Sequence, residues 1–266
     1  VTDLDARLGS ALAELPLKEM EGALLAAALL RAAEPLDASG AVRRAVELAA
    51  YAHRDATRAR RGPLPRDSYI THPLRGALRL HRWGVRDVDV LVAAVLHDVV
   101  EDAAPDLLDL VGLPVPADDD EGGAAQAAAS ALRDVVAPAF GARVAAVVEA
   151  VSNPPGPRPE DPEARRRAYR DHVLEAVRGD AAALLVKTSD LYDNAGSLHH
   201  HAGEHPEQVR RLAAKYAPLL RPVREELARV RPLPEDVLEE LLTDLRGIEE
   251  GLEQLLSASS TSGPPR

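Results

Sequence analysis

His97 and Asp98 close a nearly uninterrupted apolar run, Leu91-Val-Ala-Ala-Val-Leu-His-Asp-Val-Val-Glu-Asp102, in which Glu101 and Asp102 follow one turn later. A helix apolar on nearly every side belongs in a core, and unpaired charges there cost several kcal/mol or shift their pKa values. A bound divalent cation would compensate such carboxylates. On a continuous helix His97 shares a face with Glu101, and Asp98 with Asp102. Adjacent His97 and Asp98 differ by about 100° in direction, yet both can reach one ion beside the helix end. A lone His-Asp pair is weak evidence, because a helix end carrying solvated acids has the same composition. Two more segments change the balance. Tyr69-Ile-Thr-His72-Pro73 sets a histidine at a helix start, and Ala181-Ala-Ala-Leu-Leu-Val-Lys-Thr-Ser-Asp190 is a second apolar run ending in an acid. His72, His97, Asp98 and Asp190 together offer two imidazoles and two carboxylates, whose negative charges neutralise one divalent ion. Mixed nitrogen and oxygen donors suit Mn²⁺, Fe²⁺ or Zn²⁺ better than Mg²⁺ or Ca²⁺.

Such an ion lowers the pKa of bound water. Glu101 or Asp102 would then orient that water and accept its proton; the sequence does not choose between them. Other candidates carry simpler readings. His53, on the apolar face of its helix, reads as a packed histidine or one supporting the metal ligands, ahead of direct ligation. Lys187 either faces phosphate or packs its stem and sends the ammonium outward. His199, His200, His201 and His205 cannot all converge on one ion from a helix, which favours a surface loop over a second metal site.

The elements that must position these residues are helical. Hydrophobic periodicity gives helices over residues 4–15, 17–33, 41–60, 73–83 and 87–102, then 138–151, 165–178, 180–194, 207–230 and 234–256. Residues 61–67 read as a turn, 154–162 as a Pro-rich loop and 257–266 as a frayed tail. Residues 105–131, with Asp118-Asp-Asp-Glu-Gly-Gly123, read as a solvated insertion with room for one short helix. The expected organisation is a helical extension over 1–40, a main domain over 41–230 and a C-terminal helix and tail over 231–266.

Composition agrees. The chain has 266 residues, 46% hydrophobic but only 3% aromatic, and its apolar material is mainly Ala, Leu and Val, which favours helix over sheet. A formal net charge of −11 argues against nucleic acid or an anionic membrane as the main partner; a small anionic ligand stays compatible. With no cysteine there is no disulfide, thiolate site or thiol nucleophile. No apolar run reaches transmembrane length, and the start, with Asp3, Asp5 and Arg7, lacks a signal-peptide pattern, so the cytoplasm is the expected location.

Ala52-His53, Tyr69-Ile-Thr-His-Pro73, Val95-Leu-His-Asp-Val-Val-Glu-Asp102, Phe140-Gly141 and Leu185-Val-Lys-Thr-Ser-Asp-Leu-Tyr-Asp-Asn194 occur in the order known from one family. Over residues 41–227 the chain resembles the HD-domain hydrolases of the RelA/SpoT type, specifically the stand-alone small alarmone hydrolases. The resemblance implies an all-α HD-domain helical bundle, here with extra N- and C-terminal helices. It implies that His72, His97, Asp98 and Asp190 hold one ion, usually Mn²⁺, and that Glu101 and Asp102 are the catalytic acidic pair. Asn194 and Ser197 match nucleotide-contacting positions. Such enzymes remove the 3′-pyrophosphate of ppGpp or pppGpp, giving GDP or GTP and pyrophosphate. A family arginine stacks on guanine; Arg58, Arg60 and Arg61 are the candidates, ahead of an extended Pro63-Leu-Pro-Arg-Asp67.

Gly196 stands where the family often has arginine. This departure and the altered arginine loop bear on guanine selectivity rather than on hydrolysis. The long members' synthetase and regulatory modules find no room here, so hydrolysis without synthesis is expected. Two alternatives remain: an HD phosphohydrolase for another nucleotide or phosphoester, and a nucleotide-binding homologue without catalysis. The sequence gives no oligomeric state.

Overall fold

The computed structural model of the chain describes residues 2–58, 67–117, 121–153, 159–203 and 205–258. The fold is all-α, with a single two-residue strand pair among the described residues. Among the described residues its contacts sort into two units, the first running up to residue 153 and the second starting at residue 159.

The first unit runs α1 (Thr2–Glu14), α2 (Gly22–Ala33), α3 (Ala41–Ala52), β1 (Thr57–Arg58), β2 (Asp67–Ser68), α4 (Thr71–Arg82), α5 (Val88–Leu96), α6 (Val99–Leu110), α7 (Glu121–Ala131), a π-helical segment (Leu132–Val136), α8 (Ala137–Phe140) and α9 (Ala142–Val151). Helix α5 is its centre. Val90 to Leu96 are all buried, so this helix has no solvent face, and α3, α4 and α9 pack around it. Its start is fixed locally: Asp87 accepts a hydrogen bond from the Asp89 amide at 3.0 Å, a helix cap. Arg143 of α9 donates to Asp87 at 2.7 Å and to Asp89 at 3.1 Å, tying α9 to that end.

Helix α4 is buried from Thr71 to Leu80, Arg75 and Arg79 included. Buried guanidinium groups need acceptors. Arg75 donates to the Leu17 carbonyl at 3.2 Å, while Arg82 donates to the Leu12 and Leu15 carbonyls at 2.9 and 2.8 Å. Those carbonyls lie at and beyond the end of α1, where helices leave acceptors unsatisfied, so the arginines of α4 fasten the α1–α2 connection.

Several expected boundaries change. The helix expected over 41–60 ends at Ala52, and Thr57–Arg58 pair antiparallel with Asp67–Ser68 instead. The helix expected over 87–102 is two helices that break at His97–Asp98. Helix α6 then continues through Pro105 to Leu110 with a kink at Ala103, where proline removes a donor from the ladder. Leu107 and Leu108 are buried, as are Ala127 and Ala131 of α7, so residues 105–131 are not merely solvated. The apolar side chains on this stretch outweigh the acidic run at its centre.

The second unit holds α10 (Pro162–Gly179), α11 (Ala181–Ala195), a 3-10 turn (Leu198–His201), α12 (Pro206–Val230) and α13 (Glu235–Ala258). Pro162, read as the end of a loop, is the first residue of α10, and Asp161 caps it through the Ala164 amide at 2.8 Å. Helix α11 is buried from Ala182 to Leu191 and packs on α10 and α12. Helix α13 lies along α12, where buried Glu249 accepts from Arg221 at 3.0 Å and Arg224 at 2.8 Å. Residues 59–66, which include Arg60 and Arg61, the 118–120 acidic run, 154–158 and the tail from 259 lie outside the described residues. Among the described residues no helix is long and apolar enough to cross a membrane.

Candidate functional site

The break between α5 and α6 makes a corner. His97 ends α5, and Asp98, at φ −100° and ψ −9°, sits in the sparsely allowed bridge region that active-site residues often occupy. His72 reaches the same corner from the first turn of α4. The rings of His72 and His97 lie edge to face with centroids 5.2 Å apart, and both residues are buried. Asp98 Oδ2 is the focus of the corner, 3.0 Å from His97 Nε2 and 3.7 Å from His72 Nε2. Tyr69 donates its hydroxyl to that same oxygen at 2.7 Å.

The tautomer of His97 follows from its surroundings. Nδ1 lies 2.9 Å from the Ala94 carbonyl, which can only accept, so Nδ1 carries the proton. In the neutral ring Nε2 then presents a lone pair towards a carboxylate oxygen. That pair is favourable only with positive charge at the corner, either a second ring proton or a metal ion. This imidazole and carboxylate chemistry fits a transition metal.

Tyr69 and His53 support the corner from behind. Burial, together with the Asp98 charge, pushes the Tyr69 phenol far above its ordinary range and keeps it a donor. The Arg58 charge opposes that rise, which sets half-buried Arg58 near this side of the corner. His53 packs against Tyr69 with ring centroids 4.8 Å apart. It is 1% exposed, and neither ring nitrogen has a hydrogen-bond partner among the described residues. Burial, outweighing the pull of Asp98, lowers its pKa to about 4, so His53 is a neutral packed ring, as the apolar face of α3 suggests.

Glu101 and Asp102 occupy the first turn of α6 and are exposed, within reach of a ligand. Although its side chain stays 42% exposed, partial desolvation of its carboxyl, then the negative charges of Asp98 and Glu101, push Asp102 up to about 7. Asp102 also lies 3.9 Å from His53 Nδ1. Glu101 is held differently: Asn153 donates its backbone amide to Oε2 at 3.2 Å and its side-chain amide to Oε1. Asn153 and Tyr69 had no assigned role in the sequence. The place of Tyr69 three residues before His72 was the available signal, whereas nothing marked Asn153.

In the second unit Asp190 is buried on α11. Lys187 approaches its Oδ2 at 2.9 Å, and Asn194 donates to its Oδ1 at 2.5 Å. Lys187, itself buried, therefore neither reaches outward nor lies open to phosphate; its ammonium is turned onto Asp190. Ser197 donates its hydroxyl to the Asp193 carbonyl at 2.8 Å. A β-carbon on Gly196 would stand 2.7 Å from the Tyr192 carbonyl and 3.3 Å from Ile248 of α13, which explains why a larger residue is absent there. His199 and His200 are exposed, as a surface segment requires. Buried His72 and His97 are imidazole donors in the first unit, and Asp190 is a buried carboxylate donor in the second.

No family model matches the chain. It is similar to the bifunctional (p)ppGpp synthase/hydrolase SpoT of Escherichia coli (strain K12), 29% identical over 190 residues. A guanosine-3′,5′-bis(diphosphate) 3′-pyrophosphohydrolase of Shigella flexneri is similar to the same degree, 29% over 190 residues. Each match covers 70% of this chain, while the chain spans only 22% of the length of these curated relatives. The similarity supports a relationship with RelA/SpoT-type hydrolases.

Proposed function

We propose that this chain is a metal-dependent HD-domain hydrolase that removes the 3′-pyrophosphate of guanosine alarmones, yielding GDP or GTP and pyrophosphate. The observation that carries the reading is the Asp98 corner, where two buried imidazoles and a Tyr69-braced carboxylate meet beside an exposed acidic pair. In this reading residues 41–230 form the hydrolase domain. His72, His97, Asp98 and Asp190 hold one divalent ion, Mn²⁺ in the first instance. When bound, that ion polarises a phosphoryl oxygen and makes water a stronger acid.

The chain's own residues do the rest. Asp102, with its carboxyl held near 7, accepts a proton from the attacking water and can return it to the departing 3′-oxygen as the bond from that oxygen to phosphorus breaks. Glu101 orients the water. Asn194, Ser197 and one arginine of the set Arg58, Arg60 and Arg61 contact the nucleotide, a guanidinium plane being suited to stacking on a base. Lys187 acts through Asp190 rather than on phosphate. The partner is a small nucleotide, not nucleic acid or membrane, and the site of action is the cytoplasm.

Purified protein with Mn²⁺ should release pyrophosphate from ppGpp, and chelator-stripped protein should not. Undiminished turnover after stripping would refute metal dependence. Preference for a non-guanine compound in a nucleotide panel would refute the alarmone assignment while leaving the hydrolase. Tyr69→Phe removes only the hydroxyl that braces Asp98, a kind of support whose loss costs 10–100-fold in metal affinity. Mn²⁺ titration of that variant should show about a tenfold weaker site in an intact fold. An unchanged dissociation constant would leave Tyr69 without the role assigned to it.

A further inference from the structure

We infer that Asn153 is a positioning residue that holds Glu101 in its working orientation across the α5–α6 corner. The inference rests on the hydrolase reading and adds a residue to it. Helix α9 ends at Val151, and the two residues beyond it both turn onto the corner. The Ser152 hydroxyl donates to the Val148 carbonyl at 2.8 Å and reaches the His97 carbonyl at 3.3 Å, pinning the end of α9 to the residue before Asp98. Asn153 then supplies two donors, its backbone amide to Oε2 of Glu101 at 3.2 Å and its side-chain amide to Oε1.

Glu101 needs such a hold. It stands three residues from Asp98 and next to Asp102, and like charges on one helical turn push a long flexible carboxylate outward. An ammonium or guanidinium partner would restrain it but would neutralise its charge. A carboxamide restrains it while leaving the charge in place, and that charge is one of those raising the pKa of Asp102. Each carboxylate oxygen keeps a second lone pair for a water molecule. Both oxygens are thus fixed and both can still accept, which is the preorganisation that orienting a nucleophile requires.

The test is a pair of double-mutant cycles on the full chain, Asn153→Ala with Glu101→Ala, one read by kinetics with Mn²⁺ and ppGpp and one by Tm. Asn153→Ala should lower kcat about tenfold with KM and Mn²⁺ affinity within about twofold. On the Glu101→Ala background it should change kcat less than about twofold, and the Tm shifts should likewise be non-additive. Asn153→Ser, which like alanine keeps the backbone amide but also offers a shorter hydroxyl donor, should fall between wild type and Asn153→Ala and serves if the alanine variant folds poorly. Additive kinetics in an active wild-type background would overturn the positioning role alone. A wild-type chain that turns over no nucleotide while the Tm coupling persists would overturn the hydrolase reading, and the role with it, leaving the contact as architecture.

Discussion

Asp98→Ala is expected to abolish tight divalent-metal binding and to lower pyrophosphate release by about a thousandfold or more, the several kcal/mol that a Lewis acid contributes. The expectation comes from the position of one oxygen. Oδ2 of Asp98 receives the Tyr69 hydroxyl at 2.7 Å and lies 3.0 and 3.7 Å from the two imidazoles. Alanine removes the carboxylate that gathers these groups and leaves the half-buried Tyr69 phenol without its acceptor, so some loss of stability should accompany the loss of function. Circular dichroism and calorimetric Mn²⁺ titration separate the two effects. Turnover within tenfold of wild type by a folded Asp98→Ala protein would contradict the assignment of this corner.

Asp102→Asn should behave differently. It should lower kcat by 10²–10⁴, the usual worth of a general base, while leaving Mn²⁺ affinity nearly intact. It should also change how metal-free protein responds to pH. His53 has a folded pKa of about 4 against 6.5 unfolded, so below 6.5 the unfolded chain binds the extra proton. Stability from this group is complete above 6.5 and is lost as pH falls towards 4, by about 3 kcal/mol at most. Asp102 has the opposite sign. Its folded pKa of about 7 exceeds the unfolded 3.8, so its contribution is present at low pH and is lost as pH rises through 7. In wild type the two slopes oppose each other between 4 and 6.5. Removing the carboxyl should leave the His53 slope alone and, above pH 7, a variant more stable than wild type, as is common when an active-site charge is deleted. Urea denaturation with chelator from pH 8 to 4 checks this; a flat profile for Asp102→Asn would contradict it.

The residues of the Asp98 corner stood out in the sequence because their chemistry is costly in apolar runs. His97 and Asp98 interrupt such a run, and Tyr69-Ile-Thr-His-Pro73 announces His72. The break between α5 and α6 was hidden, since continuous apolar residues favour helix on both sides and nothing local forces Asp98 into a bridge conformation. The face-sharing argument for Glu101 and Asp102 assumed an unbroken helix; their place in the first turn of α6 now rests on the corner itself. Arginines mislead in the same way. Nothing in the sequence marks Arg75 and Arg82 as structural, yet backbone carbonyls of the α1–α2 connection accept from both. Lys187 shows the limit for single charges, because its choice of Asp190 depends on a neighbour three residues away being equally buried. Asn153 before Pro154-Pro-Gly reads as an ordinary loop residue, and only the end point of α9 reveals its target.

The most direct test is anomalous diffraction at the manganese edge from crystals grown with Mn²⁺. The account predicts one strong peak bonded by His72, His97, Asp98 and Asp190, with Glu101 and Asp102 beside it but not ligating. A peak bonded without His72 or Asp190, or no peak at the Asp98 corner at saturating Mn²⁺, would contradict it.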